Sequence, residues 1–152
     1  MNPVTAASLG IDLAQAQGHG LYKWLLASFL MGKRIRTTVA IEAYRNLVDR
    51  HGLDTPGKLA RCTHRTLVGL LGQAGYARYD ESTARRLHAM ATRLEVELPA
   101  QLQALARHAQ DLQGFQDWVL GFTGVGPKTL EIFMGEASCS LTPLAIDQHS
   151  LV

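Results

Sequence analysis

Phe122-Thr123-Gly124-Val125-Gly126-Pro127-Lys128-Thr129 is the stretch on which the reading of this chain turns. An apolar run from Phe115 to Phe122 enters it, and a second, Leu130 to Met134, leaves it. Glycine tolerates positive φ and close backbone approach. Proline suits the first position of a helix, where its missing N–H costs nothing. The stretch therefore reads as a helix, a tight Gly-Val-Gly turn and a new helix starting near Pro127. Unpaired amides at such a helix start form an anion site, and a nucleic-acid phosphate held there is gripped without base readout. Lys128 falls in the first turn, where a cation opposes the helix dipole, and a lysine that gives up its proton is a nucleophile. On its own the octapeptide leans slightly towards a plainer reading, a glycine turn between packed helices with a solvated lysine.

Working outward, the 152 residues suit one domain with a real core. Apolar residues make up 47% and charged ones 18% of the chain, the balance of an ordinary globular protein and not of a disordered one. A formal net charge of +2 names no partner; local clusters have to carry that argument. Cys62 and Cys139 are too few for a disulfide scaffold or a four-cysteine metal cluster. Neither a signal peptide nor a membrane-spanning apolar run is read, so a cytoplasmic location is the expectation, with no cofactor, no metal and no membrane partner.

Residues 1–20 read as an N-terminal extension, with a short helix near 6–16 or a loose strap, and His19 as a loop residue. Leu21 to Met31 is a compact apolar helix stopped by Gly32. Lys33, Arg34 and Arg36 follow at once, a cluster suited to backbone phosphates, although a solvated basic loop is the commoner use of such a run. Thr37 and Thr38 are placed to cap the next helix, whose inward face is Ala40, Ile41, Tyr44, Leu47 and Val48. Short helices are expected at 54–60 and 64–71. A long one begins at Asp80, with an apolar stripe of Ala84, Leu87, Met90, Ala91, Leu94 and Leu98 and with Arg85, Arg86 and Arg93 off it. Pro99 is read as opening a separate helix to about His108, and Gly135 to Pro143 as a loop that delivers Asp147 to a helix start. The expected architecture is all-α, a compact bundle of seven or eight short helices with a helix-hairpin-helix motif.

The octapeptide, followed by Ala145-Ile146-Asp147-Gln148-His149, resembles the helix-hairpin-helix and Gly/Pro-Asp signature of DNA glycosylases, nearest to the endonuclease III branch. Lys128 and Asp147 stand nineteen positions apart, close to the spacing of that family. The resemblance covers roughly residues 21–149, the helical domain with its hairpin, and excludes the C-terminal iron–sulfur region of many relatives. It implies base-excision chemistry on double-stranded DNA carrying a damaged base or an abasic site. Lys128 would be the amine that attacks the sugar and forms a Schiff base, and Asp147 the carboxylate that supports charge there. An aspartate in that position is otherwise most often a helix N-cap. Gly124, Val125, Gly126 and Thr129 would meet the phosphate, with Lys33, Arg34 and Arg36 flanking. The family's loop after the first helix fills the gap left by an extruded base; Met31-Gly32-Lys33 occupies that place here. Tyr79 would be a stacking residue near the base, or else a tyrosine buried by packing. The alternatives to an enzyme are a DNA-binding module without catalysis, or an interaction protein whose second lobe comes from a partner or a second copy.

Overall fold

Helix α1, His19–Met31, is apolar on nearly every side: Leu21, Tyr22, Trp24, Leu25, Leu26, Phe29 and Leu30 are all buried. A helix without a polar face belongs in the middle of a protein, and α1 is the post around which the others stand. A computed structural model describes residues 4–76, 79–107 and 111–150, without the side chains of 111 and 142–150. Its remaining helices are α2 (Thr37–Arg45), α3 (Pro56–Ala60), α4 (His64–Gln73), α5 (Asp80–Arg107), α6 (Asp111–Leu120) and α7 (Pro127–Ser150). Among the described residues there is no strand. The chain is all-α, as expected from its periodicity.

Two layers share one core. α1 packs on α2 and α7, whereas α5 packs on α3, α4, α6 and α7, so α7 closes both. The expected stripe of α5 is buried throughout, and each large apolar side chain so placed contributes roughly 1.5–3 kcal/mol. Buried polar tips are satisfied: Trp24 donates its indole N–H to the Phe133 carbonyl at 3.1 Å, and the Tyr22 hydroxyl donates to the Leu53 carbonyl at 2.8 Å.

Several boundaries differ from expectation. Pro99 lies inside α5 instead of starting a new helix. Leu94 and Leu98 before it and Leu105 after it are all buried, and packing on both sides outweighs the one backbone bond that proline removes. Residues 135–141, expected as loop, belong to α7; Ala137 and Leu141 are fully buried there, and that burial holds the segment helical. Thr37 opens α2 without capping it, because Arg36 occupies the N-cap position and no side chain accepts there. The true threonine caps are Thr55 and Thr63, which accept from the amides of Lys58 and Thr66. Leu47 and Val48 sit in a π-helical turn, Asn46–Arg50, that continues α2. In place of a helix at 6–16 there are two 3₁₀ turns, Ala7–Leu9 and Ala16–Gly18. Ala6, Leu9 and Ile11 from this arm join the main core.

Candidate nucleic-acid interface

The turn between α6 and α7, the hairpin turn, forms as its glycines and proline demand. α6 ends at Leu120, residues 121–126 turn, and Pro127 starts α7. Gly124 has φ +89°, a conformation closed to ordinary side chains. Space forbids one as well: a Cβ there would lie 2.8 Å from Arg86 Cδ and 3.1 Å from the Phe29 ring. The Val125 amide is spent on the Phe122 carbonyl at 3.0 Å, and the Leu130 amide closes the first turn of α7 onto Gly126 at 3.0 Å. Among the described residues, the amides of Gly126, Lys128 and Thr129 have no backbone acceptor. They are the unpaired donors expected at a helix start.

The basic loop after α1 and the hairpin, distant in sequence, meet in space. Lys33 Nζ donates to the Gly124 carbonyl at 2.7 Å across 91 positions, and it lies 4.4 Å above the centre of the Phe29 ring. Gly32 rests on α7 so closely that a Cβ would stand 2.2 Å from Thr129 Oγ1. Burial, and then the charge of nearby Arg86, hold the Lys33 amine below the usual lysine pKa. Arg86 is therefore the cation that sequence reasoning missed. It lies off the buried stripe of α5, and nothing local ties it to a glycine far along the chain. Arg34 and Arg36 are exposed and pair with no acid among the described residues.

A second cluster braces the hairpin from behind. Arg93 sits 4.4 Å over the Phe122 ring and grips Glu97 through two bonds of 2.9 Å, while the Trp118 indole N–H donates to the same carboxylate at 2.9 Å. These donors stabilise the charged carboxylate and bring the Glu97 pKa down to about 2.

The expected site residues thus fall into four groups. Lys33, Arg34, Arg36, Gly124 and Gly126 gather at one end of the molecule, with Lys128 exposed in the first turn of α7. Val125 and Thr129 are only 7% and 2% exposed, and their side chains are packing elements that no phosphate reaches. Tyr79 is half exposed at the turn before α5, where its amide donates to the Tyr76 carbonyl. The buried tyrosine of that turn is Tyr76, whose hydroxyl donates to the Leu30 carbonyl at 3.1 Å. The Asp147 side chain lies outside the described residues. Its position falls on α7, nineteen residues beyond Lys128 on that one helix. A helix rises about 1.5 Å per residue, so those two positions are about 28 Å apart along the axis. The pairing implied by the resemblance needs a change of chain direction between them.

No family model, no curated protein and no solved structure matches this chain.

Proposed function

We propose that the chain binds duplex DNA through the end of the molecule formed by the hairpin turn, the loop at 33–36 and Arg86. One observation carries the reading: the Lys33 amine fastens the basic loop to the hairpin turn, so cations and unpaired amides from three elements share one surface. Such a surface holds phosphates without selecting a base sequence. In this role Lys33 is a positioning residue, whereas Arg34, Arg36 and Arg86 carry the phosphate contacts. The test is fluorescence anisotropy with a labelled duplex at several salt concentrations. The triple variant R34A/R36A/R86A is expected to bind weakly with a salt slope smaller by about 2–3, since each lost contact removes about 0.9. Unchanged affinity in the triple variant, or binding by the parent protein that ignores salt, would overturn it.

A second reading, abasic-site lyase activity, is supported by the exposed Lys128 at the edge of the same surface. A neutral lysine amine adds to the open-chain sugar aldehyde, loses water to give an imine, and permits β-elimination of the 3′ phosphate. Borohydride trapping on abasic-site DNA is expected to yield a covalent band absent from K128A; a band that persists in K128A sinks the assignment. Removal of an intact damaged base would additionally need a carboxylate near the sugar. Asp147, about 28 Å further along α7 than Lys128, is not placed to supply it, and D147N is expected to leave trapping on abasic DNA unchanged.

A further inference from the structure

The end of α1 opposite the hairpin borders a groove of about 790 Å³. Its floor is one stripe of α5, Leu94, Leu98 and Leu102, and its walls are α3 and the 3₁₀ turn Ala16–Gly18. Polar groups gather on the rim. The His19 imidazole stands there with no hydrogen-bond partner among the described residues. Arg61 meets Glu95 only at 3.5 Å, with 70% of its side chain exposed, which leaves most of its guanidinium donors available. Lys58, also on the rim, is held by Asp54 at 2.8 Å.

The backbone adds an independent sign. Gln17, which lines the groove, has φ 64° and is the non-glycine residue in the left-handed region among those described. A residue held in that conformation costs free energy that surrounding structure has to offset, and such residues concentrate at ligand sites. The volume falls in the range of small-molecule pockets, which combine an apolar lining with a few polar groups that orient the ligand.

We infer that this groove is a binding site for an amphipathic organic anion, whose apolar body lies along Leu94, Leu98 and Leu102 and whose head group meets Arg61 and His19. The choice of an anion follows from Arg61: it meets Glu95 only at 3.5 Å and keeps donors to spare, whereas Lys58 is spent on Asp54. The site is remote from the hairpin, because α1, thirteen residues long, separates them by roughly 20 Å.

The probe is 8-anilinonaphthalene-1-sulfonate, an apolar ring system with an anionic head, titrated into the full chain and followed by fluorescence. Decanoate is the competitor, with decanol and decyltrimethylammonium as controls for the head group. Saturable probe binding is expected, displaced best by decanoate. L102W, which fills the groove, is expected to abolish it. R61Q is expected to weaken decanoate by about fivefold, the scale of an exposed charge pair, while leaving decanol unchanged. Circular dichroism and DNA anisotropy on both variants show whether the fold and the opposite end are intact. The proposal fails if probe binding survives L102W in the folded protein. It also fails if the cationic amphiphile competes as well as decanoate, or if no saturable binding occurs.

Discussion

The two ends of α1 are built by opposite means. At its C-terminal end, side chains from other elements and from the following loop aim at carbonyl oxygens: Tyr76 donates to Leu30, and Lys33 reaches Gly124. At its N-terminal end the chain closes backbone on backbone. A Cβ on Gly20 would stand 1.8 Å from the Asp12 carbonyl oxygen. The first arrangement concentrates positive charge on a stitched surface. The second leaves His19 and Gln17 over an open groove. Polar stitching fixes an end against its neighbours, while glycine contact brings the chain close without filling the space beside it.

If that contrast is right, the largest loss of stability comes from the N-terminal end. Gly20→Ala drives a methyl group into a backbone oxygen that cannot swing aside, and is expected to cost about 3 kcal/mol in urea denaturation. Gly69, in α4 with open space around its Cα, is the control. Gly69→Ala is expected to stabilise by about 0.5–1 kcal/mol through helix propensity alone. Similar behaviour of the two variants would break the comparison. At the stitched end, Tyr76→Phe removes one buried hydrogen bond and keeps the ring, for an expected loss of about 1 kcal/mol by thermal melting. A neutral Tyr76→Phe would mean that packing, not the hydroxyl, holds that turn to α1.

The smallest effect concerns the brace behind the hairpin. Glu97 has its pKa depressed from 4.5 to about 2 by Arg93 and Trp118. A depressed carboxylate contributes stability that is fully present above its unfolded pKa and is lost as pH falls through the folded one. Between pH 5 and pH 2 the parent protein should therefore lose a contribution that Glu97→Gln lacks from the start. The pair is more than a third exposed, so solvent screening limits this contribution to at most about 1 kcal/mol. Parallel pH–stability curves for the two proteins would show that the pair is only a surface contact.

Much of this architecture was legible from spacing. The apolar helix 21–31, the α5 stripe and the turn at Gly124 appear where period and glycine placed them. Pro99 and Gly135 misled for one reason: each marks a local break, and neither residue reveals that its helix is buried on both sides of it. Thr129 reads from its place after the turn as a phosphate contact, yet Gly32 covers it. Arg86 gives no local signal, because Gly124, which it stands beside, belongs to another element.

By itself the sequence determined that the protein is helical, that a glycine turn divides 115–122 from the helix that follows, and which stripe of α5 faces inward. Those are consequences of local backbone preference and of period. Only the tertiary structure decided that the loop at 33–36 stands beside Gly124, that Arg86 joins them, and that a groove opens at the far end of α1. Contacts between distant segments depend on which faces pack together, and no spacing along one chain encodes that directly.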